Sequence, residues 1–218
     1  MKTIGYVLVL LVLVIVARIV GGAAGRVSAE GNANHPSTEM VNFLGELKRF
    51  QIDSANRATA ANNAYMNALK AGGWNSLFDA NRIQNDTGLA DSFEIVIKAK
   101  AAFERYKIQV VASVEASKEQ IKSLNISDSE KKAMLSSFAI GSIRNDEILV
   151  LEGQAMSESG EVISLLSSNR NWSVENGGVI FNDNALQTAV NSHFQNIGEI
   201  SHKQQNIREE LLRSVGIK

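Results

Sequence analysis

Apolar residues recur at three- and four-residue steps along most of this chain, and the points where that rhythm stops divide it into four long segments. The first carries Met40, Phe43, Leu44, Leu47 and Phe50 and continues in smaller residues as Ser54, Ala58, Ala61, Tyr65, Ala68 and Leu69. This spacing predicts a helix capped by Ser37, with Glu39 in its first turn, that runs to Gly72-Gly73. Small side chains on the apolar stripe imply a close neighbour. Trp74, Leu77, Phe78 and Ile83 then predict a short helix or packed loop, closed by Thr87-Gly88.

A second long helix starts at Asp91 with Glu94 and carries Phe93, Val96, Ile97, Ala101, Val110, Val111, Val114, Ile121 and Leu124 to about residue 123. Ser127-Asp128-Ser129-Glu130 is a capping box, in which the Ser hydroxyl and the Glu carboxylate each serve the other's orphan N–H. The helix it opens is marked on its buried side by Met134, Phe138, Ile143, Leu149, Met156, Ile163 and Leu166.

Helical period fails between residues 170 and 182, where Asn176-Gly177 sits between alternating residues. Both central positions of a tight hairpin turn need positive φ, which Asn and Gly tolerate, so a β-hairpin is predicted over about 171–182. With that tip, Val174 opposes Val179 and Trp172 opposes Phe181, and all four share one face that the bundle or a partner must cover. Asn182 or Asp183 caps the last helix, whose Leu186, Val190, Ile197, Ile200, Ile207, Leu211 and Val215 keep a near-heptad spacing.

Four long helices joined by short turns predict an all-α fold, an antiparallel up-and-down bundle with one small hairpin before its last helix. At 1.5 Å per residue its body is about 45 to 55 Å long. Coiled-coil-like packing of the long helices follows from the same spacing.

Ahead of the bundle, Ile4 to Ala17 is almost unbroken in apolar residues and follows Lys2. As a helix, Ile4 to Val20 rises about 25 Å and spans a bilayer with help from its neighbours. Two fates fit the residues: a retained transmembrane signal anchor, or a signal peptide cut near Ala29, where Val27-Ser28-Ala29 supplies small residues. The distance from Ala17 to Ala29, with Arg18 and Arg26 inside it, favours retention. The organisation expected is therefore an anchor over 1–25, a tether over 26–36 and an extracytoplasmic bundle over 37–218. The lipid bilayer is engaged through residues 4–20, so the expected location is the membrane, single-pass with the N-terminus inside and the bundle outside the cytoplasm. Cleavage near Ala29 would instead leave the bundle secreted or periplasmic. Ala17, Gly21 and Gly25 recur every four residues, the spacing that lets two membrane helices approach, with a hinge at Gly21-Gly22 as the rival reading.

Charge narrows the partners. Residues 1–29 hold three of the 22 Lys and Arg and none of the 23 acids, which leaves −4 on the remainder. A mildly acidic domain whose Lys48-Arg49 and Lys131-Lys132 are isolated pairs gives no reason to expect nucleic acid. The absence of cysteine excludes disulfides, thiolate metal sites and cysteine nucleophiles.

Catalytic patterns find little material. Glu199-Ile200-Ser201-His202 has the Glu-x-x-His spacing of di-iron bundles, but those need it twice, and Val190 stands where His193 would require a Glu. There is no Gly-x-Ser-x-Gly elbow, and Asp146-Glu147 and Glu158 with Glu161 read as solvated acids on a helix. No cofactor, metal or catalytic residue is assigned. The expectation is a membrane-anchored interaction or scaffold module that contacts a protein partner or its own copy, with Trp172, Val174, Val179 and Phe181 as the candidate recognition face. The alternative is a small-molecule sensor with a pocket beside Ala58, Ala61 and Ala64; a third reading, an extracytoplasmic hydrolase, would need residues converging from different helices.

Overall fold

The computed structural model describes residues 38–214. The apolar run at 4–20, the Ala17, Gly21 and Gly25 series, the position near Ala29, the tether at 26–36, the Ser37 cap and Val215 lie outside the described residues. No described helix is long and apolar enough to cross a membrane.

The described chain is a mostly helical bundle. Helix α1 is Thr38–Ala71, α2 is the short Ala80–Asn85, α3 is Ala90–Ser123, α4 is Asp128–Ser168 and α5 is Asn184–Ser214. Strands β1, Trp172–Glu175, and β2, Gly178–Phe181, form an antiparallel hairpin between α4 and α5. Single 3-10 turns at Trp74–Ser76 and Thr87–Leu89 flank α2.

Each boundary has a local cause. Helix α1 stops where Gly73 takes a φ of 83°, a conformation that costs a residue with Cβ about 1 to 2 kcal/mol. At the start of α4, Ser127 N–H donates to Glu130 Oε2 at 3.0 Å and Glu130 N–H to Ser127 Oγ at 3.3 Å, the reciprocal pair expected of Ser127 and Glu130. Helix α5 is opened by Asp183, whose Oδ1 accepts from the N–H of Ala185 at 2.8 Å and of Leu186 at 3.3 Å.

The start of α3 departs from the expectation. Asp86, not Asp91, is the residue that satisfies the first turn, accepting from the N–H of Asp91 at 3.0 Å and of Ser92 at 2.8 Å. Glu94 pairs instead with Lys98 at 2.7 Å on the exposed face.

The long helices pass through two compact units. The described part of the first comprises 38–63, 108–147 and 206–214. Its apolar core is Leu47, Phe50, Val114, Ile121, Leu124, Met134 and Phe138. Beside that core a polar contact fixes the level of α1 against α3. Ser54 Oγ and Ser117 Oγ are 3.1 Å apart, and Nη2 of Arg57 donates to both of them and to Gln120 Oε1 at 3.1 Å each.

The second unit comprises 64–107 and 148–205. Tyr65 of α1 stacks on Tyr106 of α3 with ring centroids 4.7 Å apart and planes 13° from parallel. Gly153 of α4 faces the Phe103 ring, so that a Cβ there would lie 3.2 Å from Cε1. Glycine on α4 thus serves close approach, at a cost in helix propensity of about 1 kcal/mol relative to Ala.

Six residues placed on buried stripes by the spacing are exposed: Leu44, Phe93, Ile97, Ala101, Val111 and Ile143. Ile97 and Val111 each follow a buried valine, Val96 and Val110, and successive residues on a helix point about 100° apart, so one of each pair must turn outward. On α4 the inward positions near Ile143 are taken by polar residues. Asn145, Glu152 and Ser159, seven apart, are all buried.

Candidate functional site

The second unit holds three groups of polar and aromatic residues that join its helices, its loops and the hairpin. Its hairpin forms as the turn chemistry dictates: Asn176 and Gly177 take φ of 51° and 77°, both left-handed, which suits the twist of a two-residue connection. The register pairs Trp172 with Phe181 and Val174 with Val179. Those four residues share one face and are half-buried, while Ile180 on the opposite face is exposed. The cover is partial. Helix α2 lies against β1, Trp172 Nε1–H donates to the Leu166 carbonyl at 2.8 Å, and the Arg170 guanidinium stands 5.1 Å from the centre of the Trp172 ring.

Next to α2, Asp86 is a buried carboxylate held by four donors: the N–H groups of Asp91 and Ser92, Ser92 Oγ at 2.6 Å and Arg82 Nη1 at 3.2 Å. Burial disfavours its charge, but the Ser92 hydroxyl, the two backbone N–H groups and Arg82 together outweigh that and hold it below the usual carboxylate range. Arg82 also donates to the carbonyls of Ser76 and Leu77, so one guanidinium clamps the loop before α2 to the start of α3. This cluster is structural. Two of the four Asp86 donors are N–H groups of the first turn of α3, and the other two are side chains of that helix start and of α2, beside Leu89 with its φ of 60°.

A second group joins α4 to α5. His193 Nδ1 lies 2.6 Å from Glu158 Oε2, which also accepts from Asn196 Nδ2 at 3.1 Å. The His193 hydrogen bond, followed by that of Asn196, lowers the Glu158 pKa from its ordinary value. Beside it on the chain, Phe194 meets Phe78 edge-on, with centroids 5.0 Å apart and planes at 72°. Both rings remain about two-fifths exposed, Phe78 at 37% and Phe194 at 41%. Phe78 lies two residues before α2, which in turn packs on β1, so the aromatic pair and the hairpin are joined by one short stretch of chain.

The third group is internal. Glu152 of α4 is 2% exposed; its Oε1 accepts from the Tyr65 hydroxyl at 2.8 Å and its Oε2 from Gln204 Nε2 at 3.2 Å. Gln204 Nε2 also reaches the Ile148 carbonyl at 3.4 Å. Burial, and then the negative charge of Glu152, push the Tyr65 phenol well above its ordinary pKa. A buried acid whose hydrogen bonds here come from a phenol and an amide is an arrangement that fixes side-chain positions across three helices.

The Glu-x-x-His stretch does not converge. His202 is exposed, and Glu199 accepts from Gln195 Nε2 at 3.1 Å on the surface of α5. Among the described residues no group of three or more His, Asp or Glu is placed to hold a metal ion. Ala58 and Ala61 are buried but Ala64 is exposed, so these three alanines do not line one pocket. Glu158, read from the sequence as a solvated acid, is half-buried and paired with His193, whereas Glu161 is exposed.

Sequence reasoning missed Glu152, Gln204, Asp86 and the Phe78–Phe194 contact. A signal existed for the first two: each falls on an inward step of its helix's three-four rhythm, where a polar residue must find a partner. No family model matches this sequence, and no curated protein or solved structure matches it either.

Proposed function

We propose that this chain is a membrane-anchored, extracytoplasmic interaction module, an antiparallel up-and-down bundle of four long helices that presents a protein-binding surface around its β-hairpin. The observation that carries the reading is the partly exposed apolar surface of the hairpin region: the Phe78–Phe194 pair, Ile180, and the half-buried face of Trp172, Val174, Val179 and Phe181. Aromatic residues give binding hot spots because they bury a large, rigid area at low entropic cost, and exposed clusters of them are uncommon on surfaces that bind nothing. The apolar run at 4–20 supports the anchor, and contacts that pair later residues of one helix with earlier residues of the next support the up-and-down order: Ser54 with Ser117 and Tyr65 with Tyr106, Phe103 with Gly153 and Val96 with Gly160, Glu152 with Gln204 and Glu158 with His193.

Crosslinking of the full chain in membranes, followed by purification, tests this reading. A reproducible partner or dimer is expected, and Ile180→Ser, on the exposed face of the hairpin, should abolish it while leaving the melting temperature close to that of the parent. Recovery of neither a partner nor a dimer would overturn it. The small-molecule reading gains no support from Ala58, Ala61 and Ala64, since they do not share a face.

A further inference from the structure

Helix α1 carries a second apolar stripe on the side away from its core. Val41, Leu44, Lys48 and Ile52 fall within an arc of about 80° on a helix of 3.6 residues per turn. Val41, Leu44 and Ile52 are 53%, 42% and 49% exposed, whereas Leu47 and Phe50, about 100° and 160° around the helix from the centre of that arc, are 2% and 0% exposed. The start of α1 is therefore apolar on two sides, one covered by its own unit and one uncovered. The stripe is about 16 Å long at 1.5 Å per residue.

Charge around the stripe is sorted. Lys48 lies within it and Arg49 on its flank, both exposed. The two acids of this stretch are engaged toward the α3 side: Glu46 Oε2 accepts from the Asn125 N–H at 2.8 Å, and Asp53 Oδ2 from Gln120 Nε2 at 3.1 Å. What remains on the outer arc is an apolar band with cationic heads on long apolar stems, the composition that favours an interface between headgroups and acyl chains.

We infer that this outer stripe of α1, Val41, Leu44 and Ile52 with Lys48 and Arg49, rests on the surface of the bilayer that holds residues 4–20. The inference rests on the anchor in the proposed function. Seventeen residues separate Val20 from Thr38, and in any conformation they reach at most about 60 Å. That leash holds α1, the first element of the bundle, at an effective concentration on the order of millimolar beside the lipid, so a stripe too small to bind membranes by itself is occupied. A second copy of the chain or another protein is the competing occupant.

The chain contains no cysteine, so a single introduced thiol reports one position. Full-length Leu44→Cys and Ile52→Cys, each carrying an environment-sensitive fluorophore, are reconstituted into vesicles of phosphatidylcholine and phosphatidylglycerol. Ile108→Cys, exposed on α3, is the reference. Brominated lipid is expected to quench the labels at 44 and 52 but not at 108, and the quenching should persist as protein is diluted in lipid. Equal response at all three positions overturns the inference. So does a signal at 44 and 52 that is insensitive to brominated lipid and fades on dilution, which identifies a second copy. Failure of the unlabelled chain to float with the vesicles removes the anchor itself; flotation without quenching removes only the docking of α1.

Discussion

The hydroxyl of Tyr65 donates to Oε1 of Glu152 at 2.8 Å with both residues buried, and this bond ties α1 to α4 inside the second unit. Tyr65→Phe keeps the ring stacked on Tyr106 but leaves a carboxylate oxygen without that donor. The expected loss is about 1 to 3 kcal/mol, read from urea unfolding. Combining Tyr65→Phe with Glu152→Leu should cost less than the two single changes added together, because the second removes the group the first orphans. Strict additivity would show the bond to be incidental.

Alkaline titration reads the same contact. The folded pKa of Tyr65 lies above its ordinary 10.0, through burial first and the Glu152 charge second. Below pH 10 both folded and unfolded forms keep the proton; as pH rises above 10 the unfolded form releases it first, so stability is progressively lost. The parent should therefore lose stability above pH 10 more steeply than Tyr65→Phe. Parallel curves would contradict this.

At acid pH the sign reverses for Glu158. His193 and then Asn196 lower its pKa from the ordinary 4.5, so its contribution is present above that value and disappears as pH falls through the lowered folded pKa. With the Glu158 side chain about a quarter exposed, at 26%, solvent screening limits the effect to at most about 1 kcal/mol. Glu158→Gln should flatten the acid limb of the stability curve by that amount, and an unchanged limb would show that the His193 contact contributes nothing.

Glycine substitutions separate backbone entropy from close packing. Gly45 in α1 and Gly198 in α5 have open space around an added Cβ, so Ala at either should raise stability by about 0.4 to 1 kcal/mol. Gly153→Ala should show no such gain, because its Cβ would meet the buried Phe103 ring at 3.2 Å. Differential scanning calorimetry of the three variants checks the contrast.

Hairpin and aromatic pair answer to different tests. At Gly177 the added Cβ meets nothing, yet φ is 77°, so Gly177→Ala should cost about 1 to 2 kcal/mol through backbone strain alone. For Phe78 and Phe194 a double-mutant cycle to Ala should return a coupling of about 0.5 to 1.5 kcal/mol. Zero coupling would mean the rings touch without stabilising each other.

Much of the fold is legible from residue order because the signals are local. The capping box at Ser127 and Glu130, the stop at Gly72-Gly73, the Asp183 cap and the Asn176-Gly177 turn each act within a few residues, and the structure has all of them. The hairpin register follows from its turn, which leaves Trp172 opposite Phe181 without reference to anything distant. The same reasoning put Ile97, Val111 and Ile143 inside, since hydrophobicity marks a candidate for burial but not which of two neighbouring apolar residues faces a partner helix.

What residue order by itself determined is the set of elements and most of their ends, the start of α3 excepted: four long helices, a hairpin and the turns that punctuate them, governed by backbone propensity, caps and positive-φ positions. Only tertiary structure decided that Glu152 meets Tyr65 and Gln204, that Asp86 rather than Asp91 satisfies the first turn of α3, that Glu158 meets His193, and that Phe78 meets Phe194. Most of those contacts join residues tens of positions apart, and they depend on how one helix is rotated and shifted against the next. Periodicity specifies a face only to within about a residue's 100° step, and the pairing of polar groups across helices is fixed by packing at a finer scale than that.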